Sequence, residues 1–222
     1  MSFGHCGIDW LHSLLDSHPE ILIMPAFDYY RCWKLLEADK IDSTSEMVEI
    51  WCEYFKSDVM QGKDTKLFYN DNEHTIFRKH LINYLRKDKL DRVNILWAIT
   101  TSYAKTKNIK IKNIKNIVLH VHTCLPYNEI IKDFKKPNIL MIVRDPRACF
   151  AGWFRVFTKK FGHLPDYYSH FVDETFEEWM LSRKILFNYL LNSDEKSFII
   201  KNENMVQNLE KEMRKVAKWL KI

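Results

Sequence analysis

Two histidines two residues apart, His120 and His122, stand in the segment Leu119-His120-Val121-His122-Thr123-Cys124-Leu125-Pro126. An imidazole with its ordinary pKa near ~6.5 takes and gives protons around neutrality, which makes either ring a candidate for proton transfer. Taken alone, the pair reads equally well as hydrogen-bonded or surface histidines with no chemical role. Arg144 lies 22 residues after His122 and closes the apolar run Ile139–Val143 in the sequence Arg144-Asp145-Pro146-Arg147. A guanidinium is a planar fork of donors that suits a phosphate. Arg144-Asp145-Pro146 is also a plain strand stop, with a helix beginning at the proline.

The third place for chemistry is the start of the chain, where Gly4-His5-Cys6-Gly7-Ile8-Asp9 leads into Trp10, Leu11, Leu14 and Leu15 at helical spacing. A glycine-bearing turn that opens a helix presents unpaired backbone N–H groups and the positive end of the helix dipole, a natural anion site. Two glycines three apart are common in turns, so Gly4 and Gly7 alone say little. The Walker pattern GxxxxGK[ST] is absent, which counts against a small kinase or another P-loop NTPase. Asp9 is out of keeping with a phosphate: an ionised carboxylate only accepts hydrogen bonds, and it opposes a bound anion unless it turns aside to support the helix N-terminus.

Read together, these segments resemble the PAPS-dependent sulfotransferases. Gly4-His5-Cys6-Gly7-Ile8-Asp9-Trp10 is similar to that family's 5′-phosphosulfate loop, Gly-x-x-Arg/Lys-Ser-Gly-Thr. His5 stands at the basic position, Cys6 at the serine, and Ile8 and Asp9 at the hydroxyl pair. Leu14-Leu15-Asp16-Ser17-His18-Pro19 resembles the segment that ends the family's first helix. Ile139 to Arg147 resembles the strand ending in Val-Arg-Asp-Pro-Arg, whose arginine, with a serine eight residues on, holds the 3′-phosphate. Arg144 matches the arginine, and the serine position falls on Gly152, which has no hydroxyl. The His122 segment looks like the family's Lys-Thr-His-x-x-Pro stretch, which implies His122 as general base and puts His120 at the lysine position. Lys201-Asn202-Glu203 and the helix after it are similar to the family's closing strand–helix segment, with Glu203 in a structural place.

That resemblance implies transfer of a sulfuryl group from 3′-phosphoadenosine 5′-phosphosulfate (PAPS) to a hydroxyl or amine of a small-molecule or glycan acceptor, with no metal. Gly4, His5, Cys6, Gly7, Ile8 and Asp9 would lie along the 5′-phosphosulfate, and Arg144 and Gly152 along the 3′-phosphate. His122 would take the acceptor's proton, and His5 and His120 would steady charge on the bridging oxygen. Asp28 is a reserve base, because some relatives carry a glutamate base just after an early strand. The competing expectation is a divergent, truncated member that binds a nucleotide or a partner without catalysis. The altered loop hydroxyls, the clipped first strand and the short C-terminus favour it.

The elements that must position these residues are short apolar runs between long helical stretches. Ile21–Met24, Ile117–Val121 and Ile139–Val143 read as strands, and Ser197–Ile200 as a fourth. Runs that are continuously apolar imply strands covered on both faces, and their alternation with helices implies parallel crossovers. Residues 43–60, 72–105 and 172–192 read as mostly helical, with Phe176, Trp179, Met180 and Leu186 as a core-facing stripe, and Leu209–Leu220 as a closing amphipathic helix. The expectation is a single three-layer α/β domain over residues 1–222, a central parallel sheet flanked by helices, of the P-loop NTPase-like sulfotransferase type.

Composition agrees with such a domain. At 46% hydrophobic and 14% aromatic residues, the 222-residue chain has ample material for a packed core, which excludes disorder. The aromatic-rich middle (Trp33, Trp51, Tyr54, Phe55, Phe68, Tyr69) reads as core. The net charge of +5 is modest. The run Lys105, Lys107, Lys110, Lys112, Lys115 lacks interleaved aromatics and reads as a solvated loop, not a nucleic-acid surface. Five cysteines, odd in number and without CxxC spacing, point to a reducing, cytoplasmic setting. No leader segment and no membrane-length apolar run is expected.

Overall fold

The computed structural model describes residues 6–16, 18–25, 27–56, 67–68, 70–86, 89–161 and 197–222, with scattered positions between 173 and 188. It is a helix-rich α/β structure with small parallel sheets. The chain divides into two compact units, one formed by Met1–Leu11 with Val121–Ile222 and the other by His12–His120.

In the His12–His120 unit, β1 (Ile21–Ile23) pairs in parallel with β2 (Asn116–Val118), with Leu22 opposite Ile117. β1 is fully buried, as its unbroken apolar run requires, whereas β2 is only half-buried. Between the two strands lie α2 (Tyr29–Leu35), α3 (Thr44–Lys56), α4 (Asp71–Leu85) and α5 (Arg92–Thr106). The stretch 72–105, expected to be mostly helical, is so, as two helices. Asp91 accepts a hydrogen bond from the Asn94 N–H at 2.9 Å and so starts α5 afresh. α4 packs on both α3 and α5. The core here is aromatic: Trp51 stacks on Tyr29, while Phe27 and Phe77 meet Phe55 edge to face. Rings prefer such offset and T-shaped contacts to flat sandwiches. Trp33, Trp51 and Phe55 are thus core, as expected; Tyr69 lies outside the described residues.

In the other unit, α6 (Tyr127–Asp133) follows the His122 segment, and β3 (Ile139–Val143) pairs in parallel with β4 (Ser197–Lys201), with Val143 opposite Lys201. α7 (Pro146–Phe161) leaves β3 after Arg144-Asp145; α8 (Asn202–Gln207) and α9 (Leu209–Leu220) follow β4. Met141, Ile142, Ile200, Met205 and Val216 are buried. Phe176 and Met180 are exposed, so the stripe expected in 172–192 is not core at those two positions. Trp179 and Leu186 lie outside the described residues. The short α1 (Ile8–Leu15) begins in this unit and ends in the other.

Two lysines of the lysine-rich run are tied down locally. Lys107 pairs with Glu73 at 2.7 Å and Lys115 with Glu20 at 2.6 Å. No helix among the described residues is long and apolar enough to cross a membrane. All five cysteines are buried thiols.

Candidate active site

The turn before α1 is built around one glycine. Gly7 has φ of 92°, a left-handed backbone that side chains rarely adopt, and a Cβ there would stand 2.3 Å from Asn202 Nδ2. The Asn202 amide occupies that space because it donates to the Cys6 carbonyl at 3.0 Å. Leu11 N–H donates to the Gly7 carbonyl at 3.0 Å, which closes the first turn of α1. Cys6 is fully buried, with its Sγ 3.3 Å from the Cys149 Sγ on α7. The hydrogen bond to Cys6, followed by burial, pushes the Cys149 thiol well above its ordinary range. Ile8 is buried, and Asp9, in the first turn of α1, is exposed. Gly4 and His5 lie outside the described residues.

Arg144 follows β3 directly, and Asn202 follows β4 directly. Because Val143 is in register with Lys201, both residues leave the same edge of the β3–β4 pair. This is the carboxyl edge, where open parallel sheets bind their ligands. Ile142 lies 3.5 Å from the Gly7 Cβ position, so the turn sits over the end of β3. The main chain beside Arg144 is held on both sides. Asp145 N–H donates to Glu203 Oε1 at 2.8 Å, and the Asp145 carboxylate accepts from Arg147 N–H at 2.9 Å. Arg147 Nη2 reaches Asp145 Oδ2 at 2.6 Å. Arg147's side chain, with its backbone N–H, lowers the Asp145 carboxyl from 3.8 to about 2. Arg144 is half-buried, and Gly152, on α7, offers no hydroxyl.

His122 is half-buried in the segment that leads into α6, with a ring nitrogen within 4.8 Å of an Asp9 carboxylate oxygen. Turn, Arg144 and His122 therefore belong to one compact unit. His120 falls in the other unit, buried, with its Nδ1 2.5 Å from the Nδ1 of His12. Such a contact needs one nitrogen to donate and the other to accept, so the two rings share one proton between those atoms. Asp28 caps α2, accepting from Arg31 N–H at 3.2 Å, a structural use for the carboxylate held in reserve as a base. Burial holds the Cys124 thiol up at about 11, so it stays protonated beside this segment.

Asn202, Cys149 and His12 were not singled out from the sequence. Asn202 carried a signal, since a polar residue directly after a parallel strand stands where such sheets place their sites. Cys149 and His12 carried none.

The sulfotransferase domain family matches this chain over residues 1–222, and the chain belongs to that family. No curated protein and no solved structure matches it.

Proposed function

We propose that residues 1–222 act as one sulfotransferase domain that moves a sulfuryl group from PAPS to a hydroxyl or amine of a small-molecule or glycan acceptor. The observation that carries this reading is the joint position of the Gly7 turn and Arg144 at the carboxyl edge of β3–β4, linked by Asn202. Donors at a helix N-terminus and a guanidinium at a neighbouring strand end suit the two phosphate-bearing ends of one nucleotide.

The residues present fit such a nucleotide in two respects. Gly7 has no side chain to keep a ligand off the α1 amides, and Arg144 supplies a charged fork. They fit less well at Asp9, which puts a carboxylate where the family has a hydroxyl. The turn binds and orients the 5′ end, Arg144 the 3′-phosphate, and His122 accepts the proton of the attacking group. Such transfers depend on positioning and on stabilising charge on equatorial oxygens. His5 is the first choice for charge on the bridging oxygen, because the His120 Nδ1 is engaged with His12. Five buried thiols suit a reducing cytoplasm.

A second reading, nucleotide binding without transfer, is favoured by two observations: Asp9 places a carboxylate in the loop, and Gly152 leaves the second motif without its hydroxyl. Release of 3′-phosphoadenosine 5′-phosphate from PAPS, followed over a panel of phenols, alcohols and amines, separates the two. The enzyme reading predicts acceptor-dependent release that His122→Ala abolishes while nucleotide affinity stays within about twofold, as expected for loss of a proton acceptor alone. Nucleotide binding with no release for any acceptor supports the second reading. No binding at millimolar nucleotide removes both.

A further inference from the structure

We infer that Asp9 is the positioning residue of His122, holding its imidazole in the base-competent orientation and stabilising the imidazolium form; this rests on the sulfotransferase reading above. The two side chains belong to one compact unit, and a carboxylate oxygen of Asp9 lies within 4.8 Å of a ring nitrogen of His122. Asp9 is fixed by the first turn of α1, and His122 is half-buried in the segment that precedes α6. A carboxylate is a poor neighbour for a phosphosulfate, since it has no proton to donate. Aimed at an imidazole, the same charge becomes useful.

A neutral imidazole has one N–H and one bare nitrogen. A carboxylate that takes the N–H fixes the tautomer and leaves the other nitrogen facing the acceptor. During transfer the acceptor's O–H bond breaks and its proton goes to that nitrogen. The acceptor oxygen bonds to sulfur as the sulfur–oxygen bond to the 5′-phosphate breaks, and the electron pair of that bond stays on the phosphate oxygen. For an amine acceptor, nitrogen and its N–H take the same parts. Asp9 takes up no proton in this step; it holds the ring on which the imidazolium forms. Arg144 and the Gly7 turn have no part in this pairing, so the effect falls on turnover and spares nucleotide affinity.

A purely structural Asp9 would act as an acidic residue in the first turn of a helix, worth little at an exposed site and with no influence on a histidine ring. Three variants tell these apart. Asp9→Asn is expected to lower kcat by about tenfold or more, a part of the roughly 10²–10⁴-fold that a positioned base contributes, because His122 itself remains, while 3′-phosphoadenosine 5′-phosphate binds as tightly as before or tighter. Asp9→Glu, which keeps the charge, is expected to restore most of kcat. Asp9→Thr, which supplies a hydroxyl, is expected to tighten nucleotide binding without restoring kcat. The activity-independent readout is the ring-nitrogen resonance of His122, assigned by its loss in His122→Gln, which reports tautomer and charge. It should move in Asp9→Asn and return in Asp9→Glu. A His122 resonance unchanged in Asp9→Asn, or a kcat within twofold of the parent, overturns the inference. Movement of that resonance in a protein that neither binds nucleotide nor turns over keeps the Asp9–His122 pairing and removes the sulfotransferase reading instead.

Discussion

The side-chain amide of Asn202 donates to the Cys6 carbonyl at 3.0 Å and fills the space where the first carbon of any side chain at Gly7 would stand. Residues 196 positions apart in sequence are thereby locked into one turn. Gly7→Ala is predicted to destabilise the protein by about 1–3 kcal/mol through left-handed strain alone, with the overlap on Asn202 adding to it. Urea unfolding measures this. Asn202→Ala in the same chain relieves the overlap but not the strain, so the double variant should remain less stable than Asn202→Ala by itself. Equal stability of the two would show that Gly7 does not need its positive φ.

Glu203 acts one step further along the same edge, by accepting the Asp145 N–H at 2.8 Å. Glu203→Ala is predicted to cost about 0.5–1.5 kcal/mol, the ordinary net worth of a hydrogen bond, and to weaken nucleotide binding because the main chain beside Arg144 loses its anchor. Glu203→Gln retains an accepting oxygen and should recover most of both losses. A Glu203→Ala protein with unchanged affinity would dissociate this contact from the site.

The Asp145 carboxyl, held at about 2 by Arg147, sets an acid window. Its folded pKa lies below the ordinary 3.8, so its contribution is present above about pH 4 and is lost as pH falls through about 2. Asp145→Asn lacks that contribution at every pH. The stability difference between the parent and Asp145→Asn should therefore be constant above pH 4 and shrink toward pH 2, as read by chemical unfolding at several pH values. A difference that does not change over that range would contradict the Asp145–Arg147 pairing in solution.

Local pattern accounts for the parts of the fold that the sequence made legible. Ile139–Val143 is a strand with the expected ends because five apolar residues run into Arg144-Asp145-Pro146, and the proline opens α7. Leu209–Leu220 likewise has its expected bounds, set by the Asn208 cap that accepts from Lys211 N–H. β2 was harder: it covers Asn116–Val118 and stops short of the apolar run ending at Val121, which leaves His120 and His122 outside the ladder. The break between α4 and α5 was available in the Asp91 cap but was masked by helical periodicity on both sides. The turn at Gly7 and the strand end before Arg144 were readable because each is a local feature. Their connection through Asn202, and the Cys6–Cys149 contact across 143 positions, depend on tertiary packing that no short window encodes.

Arg144 carries the sharpest test, because its proposed part is to hold one phosphate of a two-ended ligand. Calorimetry with 3′-phosphoadenosine 5′-phosphate and with adenosine 5′-monophosphate, on the parent and on Arg144→Ala, isolates that contact. The parent should prefer the 3′-phosphorylated ligand by about tenfold to a hundredfold, the worth of a charge-assisted hydrogen bond, and Arg144→Ala should bind the two ligands alike. Equal affinities in the parent, or a preference that survives Arg144→Ala, would contradict a nucleotide held between the Gly7 turn and the end of β3.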